Sequence, residues 1–472
     1  MLSESGLYGL SAASTQGLNV LLIPLYASVL GLRGVGEVAL LNTTTLLLLT
    51  LAGFALAQAF FRSYVRDSGG PGDRARVAGV TMTLRVLVAG ITVAGFFLLA
   101  GTLAPLLVES PADRIAVFLI GPTVLFDAIS QGPLQWLRAE QQPQRFVLLS
   151  VGRALSAAVL AVAAVIGLQA GIVGVAAANL ISAALTSAIG LLLMSRGRGS
   201  LLAWDGSLAA SMLRFSAPLV PAAIALWALN LSDRFLLKQF VDATAVGVYV
   251  VGYALGALVN LAIVQPFTLA WAAAKWEVAR SRDGPAQLRR FHRVVATVCS
   301  LGALLVSALG VDILRIVVPS AAAAGHLIVP FSAFAYACYG IYAVVSTGLT
   351  LRDRTMTLGV ITIAVGAVNV GLNLVLIPLV GIVGAGIATL ASYALLTVIT
   401  ALASPRDDRF GLDVAAALVP ISVAFALSLI AVLGPDILAL RLACIASFAG
   451  ITALAGWLGP ELAVAKAIVR HR

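Results

Sequence analysis

Apolar residues run along this chain in long uninterrupted blocks. Residues 5–32, 38–61 and 86–108 each contain no Asp, Glu, Lys or Arg. About 20 mostly apolar residues suffice for a helix to cross some 30 Å of hydrocarbon, and each block is at least that long. Residues 154–195 and 355–405 are each long enough for two helices, interrupted around GLQAGIVG and IPLVGIVGAG. Barrel strands would alternate over segments of about ten residues. The pattern predicts an all-α, polytopic membrane protein with fourteen spans. They lie near 7–30, 36–60, 81–104, 114–136, 147–168, 173–194, 214–232, 246–272, 293–311, 325–350, 355–377, 382–402, 413–433 and 438–457.

Composition agrees. Of 472 residues 61% are hydrophobic and only 11% charged, against about 25% charged in an ordinary soluble domain. So thin a polar coat requires lipid around much of the exterior. The net charge of +10 is spread between apolar blocks, which excludes the single basic patch of a nucleic-acid binder. With the N-terminus in the cytoplasm, the cytoplasmic connections hold 22 of the 30 Lys and Arg residues. Arg33, Arg114, Arg234, Lys238, Arg315 and Arg441 fall on the other side. That asymmetry follows the positive-inside rule and places both termini in the cytoplasm. The N-terminal MLSESGLYGL lacks the basic region and cleavage site of a removable signal.

The chain also echoes itself. GIVGVAAANLIS at 171–182 recurs as GIVGAGIATLAS at 381–392, with seven identities in twelve at an offset of 210. GVGEV at 34–38 pairs more weakly with AVGVY at 245–249, at an offset of 211. Two matches at one spacing indicate a duplication. Each unit would hold six helices in the same orientation, related by an axis along the membrane normal. The expected organisation is a lobe over 1–200, a second lobe over 201–410, and two further helices with a tail over 411–472. The basic, Gly-containing stretch 195–210 separates the lobes, and AQLRRFHRV at 286–294 reads as an interfacial helix or a plain charged loop.

Charges inside hydrocarbon are costly and mark function or pairing. Arg85, Asp127 and Arg153 lie within predicted spans, and Asp233, Arg234 and Lys238 just beyond one. Asp127 sits near mid-membrane as a candidate ion-coupling carboxylate, or as the structural partner of Arg85 or Arg153. Arg85, Arg153, Arg234 and Lys238 are candidate substrate-binding cations. Arg33 reads as a loop charge. Amides including Asn179, Asn230, Asn369 and Asn373 read mostly as interhelix glue. Pro218, Pro221 and Pro266 are candidate hinges, because proline removes a backbone hydrogen bond.

Enzyme chemistry has no foothold. His292, His326 and His471 are isolated, and Cys299, Cys338 and Cys444 have neither zinc nor disulfide spacing. No Walker or GxSxG motif is present. No catalytic residue, metal or cofactor is expected.

The stretch LRFSAPLVPAAIALWALNLSDRFLLKQFVDATAVGVYVVGYALGALVNLAIVQPFTLAW, with RGVGEVAL and the two GIVG turns, resembles the polysaccharide transport family. These are the Wzx-like O-antigen and capsule flippases of the multidrug/oligosaccharidyl-lipid/polysaccharide exporter superfamily. The resemblance implies two six-helix lobes around a basic cavity, plus two extra helices. It also implies alternating-access transfer of an undecaprenyl-diphosphate-linked oligosaccharide from the cytoplasmic to the periplasmic leaflet of a bacterial inner membrane. The partners implied are that lipid-linked oligosaccharide, membrane lipids, and a polysaccharide polymerase or assembly proteins. An ion-coupled multidrug exporter and a non-transporting envelope scaffold are the competing readings.

Overall fold

A computed structural model describes residues 4–67, 70–196, 201–280, 284–352, 354–404, 414–455 and 457. The expected cytoplasmic charges Arg198, Arg282, Arg406, Arg409, Lys466, Arg470 and Arg472, and the isolated His471, lie outside them. All regular elements among the described residues are helical. The chain divides into two compact units, Met1–Gly247 and Val248–Arg472.

The first unit is built from α1 (Glu4–Gly53), α2 (Leu56–Phe61), α3 (Pro71–Leu107), α4 (Arg114–Ala139), α5 (Pro143–Val162), α6 (Gly171–Ser195), α7 (Gly206–Ser216), α8 (Val220–Phe240) and the start of α9 (Ala243–Gly256). α1 breaks at Gly31 (φ 71°, ψ 174°), a backbone state that glycine adopts without a Cβ clash. The second leg therefore starts at Leu32, and Arg33 belongs to a helix instead of the loop expected for it. α4 packs against α3 and α6, and α5 against α1 and α6. Leu56, Phe60, Tyr64, Trp136, Leu137, Met194 and Met212 form one apolar core. Elsewhere the exterior is apolar: on α3, Ile91 is 73% and Leu98 86% exposed. Many hydroxyls on these helices are satisfied by the helix's own carbonyls, as lipid demands. The hydroxyls of Thr43, Thr44 and Thr45 donate to the carbonyls of Ala39, Leu40 and Leu41.

α8 runs to Phe240, so Asp233, Arg234 and Lys238 lie within a helix, not beyond it. The apolar Phe235, Leu236 and Leu237 between these charges carry the helix on, and Asp233 and Arg234 are buried.

The second unit contains the rest of α9, then α10 (Gln265–Arg280), α11 (Gly284–Ala308), α12 (Gly310–Val317), α13 (Pro319–Gly325), α14 (Val329–Val345), α15 (Thr347–Thr350), α16 (Thr355–Val380), α17 (Ile382–Ala403), α18 (Val414–Leu433) and α19 (Leu438–Leu454). Its core holds Val264, Trp271, Cys299, Phe334, Ile341 and Phe448. Residues 286–294 are neither a separate interfacial helix nor a loop. They form the first part of α11, which continues into the apolar segment without a break. α11 and α12 meet at a bend of 51°. α18 and α19 pack against each other and against α11.

Ten helices among the described residues are long and apolar enough to cross a membrane, and eleven if the bent α11–α12 pair is one span. α18 and α19 contribute the shorter apolar helices Ala417–Leu433 and Leu438–Leu454. Reaching fourteen requires treating the two legs of α1 as separate crossings and each shorter helix as one.

Both copies of GIVG fold alike. Gly171 (φ 56°) and Gly381 (φ 60°) each take the left-handed conformation at the turn into the following helix. Three residues on, a Cβ at Gly174 would meet the Ala164 and Ala170 methyls at 2.9 Å, and one at Gly384 the Leu376 carbonyl oxygen at 2.3 Å. The equivalent serines eleven residues into the motif both reach the preceding long helix. Ser182 donates to the Arg153 carbonyl (2.7 Å), and Ser392 accepts from the Asn369 amide (3.0 Å). Asn373 donates within α16 to the Asn369 carbonyl (3.0 Å), so Asn369 bridges α16 to α17 and Asn373 supports it from the same helix. The weaker echo also has structural content: Gly36 of α1 lies directly against Ala243 and Gly247 of α9.

Candidate functional site

The interior charges of the first unit are ordered by α4. Asp127 sits midway along it, thirteen residues after Arg114, or roughly 20 Å from the helix start at 1.5 Å per residue. Arg153 of α5 reaches across with both arms of its guanidinium. Nε donates to Oδ1 at 3.0 Å and Nη2 to Oδ2 at 3.1 Å. The pair is therefore bidentate, the geometry that gives arginine–carboxylate contacts their strength. Its backbone is pinned from α6, where the Ser182 hydroxyl donates to the Arg153 carbonyl at 2.7 Å and lies 2.5 Å from the Ser156 hydroxyl. Arg153 and Asp127 keep 21% and 17% of their side chains exposed, so the pair is only partly buried. Gln131, one turn from Asp127, is exposed as well.

Arg85 does not join them. It is 1% exposed and donates to Gln135 Oε1, two turns further along α4. Its Nε has no hydrogen-bond partner among the described residues. Such a cation is held at the expense of desolvation, and replacement by a well-packed apolar side chain is often neutral or stabilising. Arg85→Met is expected to unfold within a few degrees of the parent protein, whereas Arg85→Ala leaves a cavity and costs about 2–4 kcal/mol. Thermal unfolding in detergent checks both.

Arg234 and Lys238 stand one turn apart on α8 but take different partners. Arg234 donates to Asp233 Oδ1 at 3.1 Å and to the Asn230 carbonyl at 2.9 Å. Lys238 pairs with Glu109 in the α3–α4 connection. Arg33 Nε lies 3.2 Å from Glu109 and 3.6 Å from Glu37, and the Glu109 amide donates to Glu37 at 3.0 Å. Four charges from α1, α8 and the connection thus form one network. Glu37, 2% exposed, and Glu109 are absent from the sequence-derived candidates. The spacing of Glu37 four residues after Arg33 is an i,i+4 signal once helix is assumed there.

The Lys238 ammonium, by hydrogen bonding, holds the Glu109 carboxyl below its ordinary range, against a smaller burial effect. A depressed carboxylate stabilises the fold above its unfolded value and loses that contribution as pH falls through the folded one. The unfolding temperature should therefore drop on acidification below about pH 4.5. Because Glu109 is largely exposed, the part of this drop that Lys238→Met removes is no more than about two degrees.

The proline candidates all fall at helix junctions. Pro218 lies in the 3-10 turn Ala217–Leu219 that ends α7, and Pro221 in the first turn of α8. Pro266 is the second residue of α10, directly after a π-helical turn, Asn260–Val264. Among the described residues no group of three or more His, Cys, Asp or Glu side chains could hold a metal ion.

A helical bundle with a lipid-compatible exterior and paired charges inside its spans defines a multi-pass membrane protein of transporter architecture. The chain belongs to the polysaccharide biosynthesis protein family, which matches residues 2–272. It is 31% identical over 186 residues to the probable flippase AglR of Haloferax volcanii, an alignment that spans 37% of each chain. In structure it is similar to the lipid II flippase MurJ in an inward closed conformation, with a TM-score of 0.71 and 13% identity over 94% of this chain and 98% of that one. It is also similar to the multidrug transporter DinF-BH, with a TM-score of 0.62 and 17% identity over 87% and 96% of the two chains. These relatives are flippases and transporters, not enzymes.

Proposed function

We propose that this chain is a flippase that moves an undecaprenyl-diphosphate-linked oligosaccharide from the cytoplasmic to the periplasmic leaflet of a bacterial inner membrane. The observation that carries this reading is the bidentate Arg153–Asp127 pair, part-exposed at mid-helix depth in a member of a polysaccharide biosynthesis family. A diphosphate leaving water needs fixed, bidentate donors. Arg153 supplies them, and the arriving anion takes the place of Asp127 on the guanidinium. The released carboxylate then binds a cation, which makes Asp127 the ion-coupling group. Arg85, Arg234 and Lys238 add positive potential along the route, and Pro218, Pro221 and Pro266 mark where helices bend during alternating access. The two lobes over 1–200 and 201–410, with 411–472 as an addition, belong to the same proposal, as do the cytoplasmic termini and a polymerase or assembly partner.

Reconstitution into vesicles with a fluorescent undecaprenyl-diphosphate-linked sugar tests it. The parent protein should transfer the label between leaflets, and Arg153→Ala should reduce the rate by at least about tenfold, the loss of one charged hydrogen-bonding group. Absence of transfer above protein-free vesicles, together with efflux of a cationic dye, would establish the multidrug reading instead. The absence of both activities would leave the scaffold reading.

A further inference from the structure

One concavity of the first unit has no part in the interior pairs. It measures about 390 Å³ and is lined by Arg62, Ser207, Ala210, Ser211, Arg214 and Phe215. α7 supplies most of it. This 11-residue helix turns Ala209, Met212 and Ser216 inward and leaves Ser207, Ala210, Ser211 and Arg214 exposed. The start of α7 is fixed by Asp205, whose carboxylate accepts from the Ser207 and Leu208 amides at 3.0 and 3.1 Å and from the Ser207 hydroxyl at 2.7 Å. Arg76 pairs with the same carboxylate. The acid that caps α7 is therefore neutralised, and among the described residues no carboxylate lines the concavity itself.

Two cations face this space from different elements. Arg62 opens the π-helical turn Arg62–Asp67 and lies 4.7 Å above the Phe215 ring. That contact holds the guanidinium at the wall of the concavity. Arg214 has no ion pair among the described residues, and the Ser211 hydroxyl stands one turn before it on the same face. Two guanidinium groups and a hydroxyl around a concavity match the oxygens of a phosphate ester.

The location selects the source of that phosphate. α7, the 3-10 turn and α8 together form an apolar stretch of 35 residues, Gly206–Phe240. At 1.5 Å per residue this is roughly 50 Å, well beyond the 30 Å of hydrocarbon that α8 alone can cross. The 3-10 turn at Ala217–Leu219 separates α7 from α8, so α7 is the part of the stretch that a crossing by α8 does not need. Just ahead of it Trp204 is 66% and Leu202 54% exposed. An exposed tryptophan beside basic residues is the usual furniture of the membrane–water interface. Basic pockets at that level bind anionic lipid headgroups.

We propose that Arg62, Arg214 and Ser211 form a headgroup site for an anionic phospholipid, docking α7 at the membrane surface. The site is separate from the Arg153–Asp127 pair, and its occupancy does not depend on which substrate crosses.

The test uses the full chain in nanodiscs of phosphatidylcholine, with or without phosphatidylglycerol, and counts phospholipid retained per protein by native mass spectrometry. The parent protein should retain phosphatidylglycerol in preference to phosphatidylcholine, and Arg214→Gln and Arg62→Gln should each lower that retention about tenfold. Arg145→Gln, which removes an exposed charge on α5, should leave it unchanged. Inorganic phosphate added at the same concentration should not displace the lipid. Equal retention in Arg214→Gln, an equal fall in Arg145→Gln, indifference to lipid charge, or displacement by inorganic phosphate would each overturn the proposal. Arg214 and Arg62 are both exposed, so the variants leave the core of the unit in place.

Discussion

Gly247→Ala and Gly36→Ala are expected to produce the largest losses of stability of any single methyl added to this protein's first unit. A Cβ at Gly247 would lie 1.8 Å from the carbonyl oxygen of Leu32 and 2.8 Å from its carbon. The obstacle is backbone, so no side-chain rotation can relieve it, and α9 must move away from α1 by more than an ångström. Gly36 meets the reciprocal constraint, with a Cβ position 1.9 Å from the Ala243 carbonyl oxygen. Overpacking of a close contact ordinarily costs about 1–3 kcal/mol. Against rigid backbone the upper end applies, so each variant should lose about 3 kcal/mol. The double variant should lose much less than twice that, because the first methyl already parts the helices and makes room for the second. Glycines with open surroundings supply the contrast. At Gly95 of α3 no atom lies within 4 Å of the place a methyl would occupy, and Gly95→Ala should gain about 0.5–1 kcal/mol from helix propensity. Thermal unfolding followed by size-exclusion chromatography reads all four proteins. Parent-like stability in Gly247→Ala would show that α1 and α9 do not meet as closely as described.

That crossing also shows what the sequence could and could not reveal. Uninterrupted apolar blocks made the all-α membrane fold legible, because a charge-free run of more than twenty residues has few other uses. The GIVG duplication was legible as a pattern, and its two glycines do share a left-handed turn. What stayed hidden depends on neighbours in space. GVGEV and AVGVY are visible as an echo, but nothing in their letters says that glycine from one lies on glycine from the other. A charge ends an apolar block, so the pattern alone puts Arg33 and Lys238 in connections. In the structure α1 and α8 continue through them, since Glu109 and Glu37 neutralise the charge where it stands. Among the candidate residues, depth singled out Asp127 and offered Arg85 or Arg153 as its partner without deciding between them. The choice is a matter of helix packing: α5 lies against α4 at the height where both arms of the Arg153 guanidinium reach one carboxylate. Gln135, which receives the Arg85 donor, carries no charge to draw notice.

Asp127→Asn should separate structure from transport when combined with a change at Arg153. Alone, it removes the charge that balances a guanidinium in the interior of a span. An uncompensated arginine at that depth costs about 2.5–3.5 kcal/mol on insertion scales. The side chains are about a fifth exposed, which lets water share the burden, so a loss of about 2 kcal/mol is expected. Arg153→Met alone strands the carboxylate and should cost a similar amount. Making both changes leaves no bare charge and should recover most of the stability, so the double variant should lose only about 1 kcal/mol, a coupling energy of about 3 kcal/mol in the double-mutant cycle. Transport should not recover with it. If the anion exchanges with Asp127 on Arg153, the neutral pair folds but has nothing to offer a diphosphate, and flipping should stay at least about tenfold down. Arg153→Lys tests the geometry, because an ammonium keeps the charge and loses the two-armed contact. It should be more stable than Arg153→Met, yet flip more slowly than the parent. A double variant that is both stable and fully active would show that the pair only fastens α4 to α5, and the exchange mechanism would fall with it.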